Sequence, residues 1–317
     1  MPSLFDIGKS GLQAYRQSLA VTGQNIANIN TDGYKKRETA LEEVTGAGGG
    51  VTEISDQTGL GVRVEDIKRA FDQFLIDKVR QTQALYQKAD TYLDEVKSLE
   101  NLLLPSDANL SNAIGEFFGS LQQIAAAPDD QAPRIISIEK GKDLAGQFNL
   151  YSDRIDNLKE KIFDKANNAV TSVNLLSNQI STINAKLLSS GSGNSSNALL
   201  DQRDILIDQL SEVCQISVRY INKGAAQVRL GNTGSGPVIV EPESSVSAGT
   251  NQSPSTIPIN VIKQGSRLQP VVGSGNVATN QIQGGIIAGL VDAYALADDT
   301  LKEIDSLAEL LSSKFNE

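Results

Sequence analysis

The chain has 317 residues, with 28 Lys and Arg against 38 Asp and Glu, for a formal net charge of −10. This acidic balance argues against a protein whose main task is gripping nucleic-acid phosphates, which calls for a basic face. There is no His and no Trp, and Cys214 is the single cysteine, so the usual neutral-pH acid/base group, the commonest metal ligand, an internal disulfide and a self-sufficient zinc site are all missing.

Length predicts two domains, at roughly 150 residues each. Residues 3–29 read as an amphipathic helix. Phe5, Leu12, Leu19 and Ile26 recur every seven residues, and Leu4, Ile7, Tyr15 and Thr22 widen the stripe. Ser3 is a candidate N-cap with Asp6 in the first turn. Asn28-Ile29-Asn30-Thr31-Asp32-Gly33 supplies the stop. Gly8, Gly11 and Gly23 each cost about 1 kcal/mol against Ala, so this helix is marginal in water without a partner for its stripe. Three partners are open at this point: its own chain, further helices in an assembly, or a membrane surface, for which Lys9 and Arg16 make a thin cationic face.

Residues 34–61 show no clear period and are expected to form a flexible loop around Gly46-Ala47-Gly48-Gly49-Gly50. No Lys-Ser or Lys-Thr pair follows these glycines, which argues against a phosphate-cradling loop. Across 64–103 the spacing predicts one long helix. Val64, Phe71, Leu85, Tyr92 and Leu99 fall on one heptad series, Leu75, Thr82, Ala89, Val96 and Leu103 on a neighbouring one, and Pro105-Ser106-Asp107 closes it. A shorter helix is expected near 110–126, ended by Pro128. The next runs over 133–188, with Gly141 and Gly146 placed to bend or interrupt it. Beyond them Phe148, Ile155, Ile162, Ala169, Leu176 and Ile183 form an unbroken series, flanked by Tyr151, Leu158, Val173, Ile180 and Leu187. Residues 147–188 would span about 63 Å as a helix, more than the ~50 Å diameter of a compact sphere of this length.

Residues 189–196 read as a flexible connection, and the helical pattern returns over 197–213. Residues 216–221, 226–230, 238–240, 257–262 and 268–272 read as strands between Gly, Pro and Ser/Asn spacers. From Gly284 the pattern is helical again, through Ile286, Leu290, Leu296, Leu301, Ile304, Leu307, Leu311 and Phe315. It is unbroken at Glu317, as expected of a chain cut short of its natural C-terminus. The expected fold is mainly α with a smaller β-rich part: an elongated rod of long packed helices, with strands between about 215 and 283. The expected division is a terminal helix at 1–33, a loop at 34–61, a helical rod of 62–213 with 284–317, and a β-rich region at 214–283.

Few residues suggest chemistry. Asp201 with Asp204, and Asp298 with Asp299, form carboxylate pairs, but on charged helices these read as solvated faces. Without a His-type base, Ser and Thr lack their usual activation. Lys35-Lys36-Arg37 is a short basic cluster, expected to meet water or an acidic surface on a neighbour. Cys214 reads as a small buried residue. No catalytic, cofactor-binding or metal-binding residue is assigned. Residues 1–10 lack a basic start followed by a long apolar run, and no stretch approaches the roughly 20 apolar residues of a membrane span. The candidate site is the terminal stripe of Phe5, Leu12, Tyr15, Leu19 and Ile26, read as an assembly interface.

The run Asn25-Ile26-Ala27-Asn28-Ile29-Asn30-Thr31-Asp32-Gly33-Tyr34 resembles the N-terminal signature of bacterial flagellar axial proteins, the group of rod, hook and hook-associated proteins. Its marked positions are Asn25, Asn28, Asn30, Thr31, Gly33 and Tyr34, and Gly11, Leu12, Ala14, Leu19 and Val21 upstream also fit. Residues 61–75, with Gly61, Arg69, Phe71 and then Arg80, are similar to the stretch that follows this signature in the hook-associated protein 1 (FlgK) family. Residues 199–211, with Asp201, Arg203, Asp204 and Asp208, are similar to another stretch of that family, and 284–290 with 307–316 resemble its returning helix. The fit is weakest over 222–283. Lys35-Lys36-Arg37 stands where the family often carries Ser-Arg.

The resemblance implies a structural adaptor of the bacterial flagellum, not an enzyme and without a cofactor. It implies a ring of identical copies at the hook–filament junction, the flagellar hook protein below and the second hook-filament junction protein above. It implies extracellular placement after passage through the type III export apparatus without a cleaved signal peptide, and no nucleic-acid or membrane partner. Terminal helices that order on assembly are also implied, which suits an orphan helix with three glycines. The family's C-terminal helical region, which pairs with the N-terminal helix and carries the export chaperone's site, is not in this chain, so both functions are expected to be missing from it. The alternatives are a rod or hook structural protein and a secreted helical binding module or adhesin.

Overall fold

The computed structural model describes residues 4–44, 61–104, 109–189, 194–242 and 255–316. Helix α1 (Leu4–Ala27) leads into a hairpin of β1 (Arg37–Glu43) and β2 (Val62–Arg69), and α2 (Gln73–Leu103), α3 (Leu110–Ala126), α4 (Gln131–Ser189) and α5 (Asn194–Val213) follow. The strands β3 (Ile216–Tyr220), β4 (Ala226–Leu230), β5 (Val238–Glu241), β6 (Ser255–Thr256), β7 (Ile259–Gln264), β8 (Arg267–Val272) and β9 (Val277–Ala278) precede the last helix, α6 (Ile286–Asn316). Mainly α with a smaller β-rich part is therefore the fold.

The rod is built on α4, which is one helix of 59 residues, about 88 Å long. It runs through Gly141 and Gly146 without the expected interruption, because a helical Gly costs only about 1 kcal/mol and the helix around Gly141 lies against Phe117 of α3. From residue 155 onward Ile155, Leu158, Ile162, Val173, Ile180 and Leu187 are buried, as the heptad series predicts, and so is Ala166. All of these but Leu187 share one core with Ile287, Leu290 and Ala293 of α6, Ile207 and Leu210 of α5, and Leu99 of α2. The start of α6 approaches α2 closely: the Gly285 amide donates to the Ala84 carbonyl at 2.7 Å. A side chain at Gly289 would lie 2.6 Å from the Lys88 carbonyl oxygen. Gly285, at φ +85, takes a backbone conformation suited to glycine just before α6, against Val213 and Cys214 at the end of α5.

Besides the β1-β2 hairpin, the described strands form two antiparallel sheets, ordered β3-β4-β5-β6 and β7-β8-β9. Each is clamped to α4 by an asparagine that substitutes for a neighbouring strand. Asn184 Nδ2 donates to the Ala226 carbonyl at 2.8 Å and its Oδ1 accepts from the Ala226 amide at 2.9 Å. Asn174 does the same to Ile259, at 2.9 Å in both directions. Buried backbone groups at the first residues of β4 and β7 are thereby satisfied without breaking the helix.

Three sequence expectations change. Residues 34–61 are not all loop: 37–43 form β1, paired antiparallel with β2 from Arg37 opposite Arg69 to Glu43 opposite Val62. The Gly46–Gly50 run lies outside the described residues. The long helix begins at Gln73 rather than Val64. Val64 belongs to β2, and Asp72 caps α2 by accepting from the Leu75 amide at 3.1 Å. Helix α5 starts at Asn194, inside the stretch expected to be a connection. Pro105-Ser106-Asp107 also lies outside the described residues.

Candidate assembly interface and the arm that carries it

Helix α1 has two faces with opposite fates. Ser10, Ala14, Ser18, Val21 and Asn25, spaced four, four, three and four residues apart, turn toward the hairpin. Ala14 and Val21 are buried there. Ser10 Oγ accepts from the Val62 amide at 3.2 Å, and the Ser18 and Thr39 hydroxyls lie 2.7 Å apart. The apolar stripe looks the other way: Phe5 is 79% exposed, Leu12 69%, Tyr15 68%, Leu19 72% and Ile26 68%. All five candidate interface residues thus share one uncovered face. A small-residue face spaced by three and four is the signal that could have shown which side docks.

The signature residues build the bend that joins α1 to the hairpin. Asn25 Nδ2 donates to the Arg37 carbonyl at 2.8 Å, while its Oδ1 accepts from the Arg37 amide and the Tyr34 hydroxyl, each at 2.9 Å. Thr31 Oγ1 donates to Asn28 Oδ1 at 3.2 Å, and the Thr31 amide to the Asn28 carbonyl at 3.0 Å. Gly33 sits at φ +75 with its α-carbon turned toward α5, where an added Cβ would lie 2.3 Å from Ile205 Cγ1. Asn30 is exposed in this bend. The motif is thus an architectural device: it turns the chain back and presses the bend on the rod.

Beneath the bend lies a charge network, buried except at the half-exposed Asp208. Arg37 Nη2 and Asp201 Oδ2 are 3.1 Å apart, and so are Arg69 Nε and Asp201 Oδ1. Arg69 also pairs with Asp204, which Arg203 holds from the other side at 2.5 Å. Arg80 reaches Asp208 at 2.6 Å and the Tyr220 hydroxyl at 3.0 Å. The Arg203 guanidinium stacks 4.3 Å from the Tyr220 ring centroid, and Phe71 meets Tyr220 edge-on at 5.3 Å. Burial acts to lower the Arg80 pKa, but its interactions and hydrogen bonds with Tyr220 and Asp208 outweigh it and hold it above its ordinary value. Burial raises the Tyr220 phenol.

These contacts correct the reading of Asp201 and Asp204 as a solvated face: both are buried ion-pair partners. They also correct Arg37, which meets an acidic surface of its own chain, while Lys36 pairs with Glu38. Asp298 is likewise buried, between Lys159 at 2.7 Å and Lys302 at 2.8 Å. Burial alone would raise its pKa, but the hydrogen bonds from Lys159 and Lys302 prevail and hold it down to about 2. Cys214 is buried as expected, and burial pushes its thiol up to about 12. Among the described residues no group of three or more His, Cys, Asp or Glu is placed to hold a metal, and no helix is long and apolar enough to cross a membrane.

A second exposed stripe was missed. On α2 the residues Leu75, Val79, Thr82, Tyr86, Ala89 and Leu93 keep a three–four spacing and all face solvent. Leu99 and Ala84 carry the packed side instead. The two heptad series on this helix were visible in the sequence, but not which of them met the core.

Residues 96–317 match the family model described as the flagellar hook-associated protein FlgK helical domain, and residues 5–35 match the flagella basal body rod protein model. The chain is similar to flagellar hook-associated protein 1 of Salmonella typhimurium, at 29% identity over 238 residues, 73% of this chain and 42% of that protein. It is 25% identical to flagellar hook-associated protein 1 of Bacillus subtilis over 334 aligned positions, 98% of this chain and 66% of the relative. The solved flagellar hook junction protein FlgK of Burkholderia pseudomallei shares the fold with a TM-score of 0.56, at 22% identity, over 68% of this chain and 38% of that one. The chain thus spans less than two thirds of the length of these relatives.

Proposed function

The chain belongs to the FlgK family of flagellar hook-associated proteins, and from that premise we propose that it is a structural adaptor at the junction between hook and filament. The observation that carries the reading is α1: one face is fastened to the hairpin, and the opposite face holds five large apolar or aromatic side chains in water. A stripe of that kind is a contact waiting for other helices. Phe5, Leu12, Tyr15, Leu19 and Ile26 are proposed as the assembly interface, and Asn25, Asn28, Asn30, Thr31, Gly33 and Tyr34 as the bend that presents it.

The proposed partners are copies of the same chain in a ring, the hook protein on one side and the second junction protein on the other. The proposed route is type III export, and the proposed role needs no catalysis. The proposed parts are an arm of residues 4–69, a helical rod of 73–213 with 286–316, and the β-rich region between them. Association would use many modest contacts rather than one chemical site.

Electron microscopy of cells lacking the gene, with an assay for flagellin in the medium, tests this. Bare hooks with flagellin lost to the medium are expected. Normal motile filaments would overturn the reading. The match of residues 5–35 to a basal body rod protein favours a rod protein as the second reading, and missing hooks would move the chain there.

A further inference from the structure

The arm meets the rod in an unusual way. The backbone passes from one to the other once, between Arg69 at the end of β2 and Gln73 at the start of α2. Ala70 still belongs to the arm, its amide donating to the Lys36 carbonyl at 2.8 Å, whereas Phe71 already packs on Tyr220 of the rod. Inside the arm the pieces are well fastened. The hairpin is paired from Arg37–Arg69 to Glu43–Val62, and Ser10, Ser18 and Asn25 bond α1 to it.

Arg37 and Arg69 are direct cross-strand partners. Like charges so placed repel each other and weaken a hairpin. Here both point at one carboxylate of the rod: Arg37 hydrogen-bonds Asp201 Oδ2 at 3.1 Å, and Arg69 Nε lies 3.1 Å from Oδ1 as a charge contact. Arg69 continues to Asp204, and Asn197 Nδ2 donates to the Ile67 carbonyl at 2.8 Å. Asn197, Asp201, Asp204 and Ile205, the last lying against Gly33, all come from α5. The arginine pair gives the hairpin nothing by itself and fits only a docked arm. Buried ion pairs are directional and costly to leave half-made, so they fix an angle where an apolar seam would allow sliding.

We propose that the arm is a rigid lever hinged at residues 70–72 and latched at one angle by Asp201 and Asp204, so that breaking the latch frees it to swing as a unit without unfolding. One chain crossing between two internally bonded bodies is the arrangement of a hinge. The inference does not rest on the assembly reading, since it concerns the isolated chain.

The test uses the full chain with spin labels on Gln13→Cys of α1 and Gln179→Cys of α4, both exposed positions. Cys214 is buried and does not compete for label. Pulsed dipolar spectroscopy is expected to give one narrow distance peak. In Asp201→Asn/Asp204→Asn that peak is expected to be lost to a broad distribution, with the helical circular dichroism and the rod's thermal transition retained. Asp298→Asn, which removes a buried aspartate elsewhere, is expected to keep the narrow peak. An unchanged peak in the double variant would overturn the latch, and loss of α1 helicity alongside broadening would overturn the rigid lever. If the double variant loses the rod's transition, Arg37→Gln/Arg69→Gln opens the same latch from the arm side, with the same outcomes deciding.

Discussion

Helices α1 and α4 follow the same sequence rule and meet opposite ends. Both repeat large apolar residues every seven positions. On α4 the series is sealed: Ile155 is 0% exposed and Ile162 1%. On α1 the equivalent series is left in water, while a row of small and polar residues does the docking. Each fully buried aliphatic side chain contributes on the order of 1.5–3 kcal/mol, so the stripe on α4 accounts for much of the rod's stability and the one on α1 for almost none of it. A heptad pattern therefore announces that a helix needs a partner. It does not say whether the partner lies in the same chain.

The contrast can be broken most forcefully at α4. Ile155→Ala should cost about 3 kcal/mol and lower the rod's melting temperature by about 9 °C, read by thermal circular dichroism. Leu12→Ala, the matched truncation on α1, should leave it in place; a comparable drop would erase the distinction. Gly289→Ala comes next. Its Cβ would meet the Lys88 carbonyl at 2.6 Å and Thr91 Cβ at 2.9 Å, so α6 must move away from α2, at a cost of about 2 kcal/mol. Unchanged melting would show that these helices can part freely.

A pH series sharpens the same contrast. Asp298 has a folded pKa held down to about 2, below the 3.8 of the free side chain. Its contribution is present above the free value and is lost as pH falls through the folded one. Between about pH 4 and 2 the wild-type melting temperature should therefore fall more steeply than that of Asp298→Asn; parallel curves would remove Asp298 from the rod's stability. The smallest effect on melting is expected from Leu12→Asp and Leu19→Asp, within about 0.5 kcal/mol, together with complete loss of assembly onto hooks. Equal loss of monomer stability would make α1 an ordinary core helix.

Much of the rod was legible in the sequence. Helix α3 matches its expected span, because Asn109 caps it and Pro128 follows it. The hairpin was not legible. Arg37-Glu38-Thr39-Ala40-Leu41-Glu42-Glu43 has no clean alternation, and its register shifts between Ala40 and Leu41. In β2, Val64 happens to sit seven residues before Phe71 and so imitates a helix. The charge network was hidden for another reason. Arg37 and Asp201 are 164 residues apart, and Arg69 and Asp204 135, so no local window holds both partners. Asp201 and Asp204 looked like any acidic pair three residues apart on a helix. The stripe on α1 was readable residue by residue, whereas the docking face opposite it was too small and polar to stand out.

Helix α4 has a mechanical consequence of its own. It passes α3 through Ser137, then the core through Ile155, then both sheets through Asn174 and Asn184, without a break. Along such a screw, height and heading are one variable, at 1.5 Å and about 100° for each residue. One residue inserted near Gly146 would swing the α3 end around the axis relative to everything beyond. Seven would bring it back to within about 20° while moving it about 10 Å outward. A subunit built on this screw can change its reach only in coarse notches, each roughly two turns long.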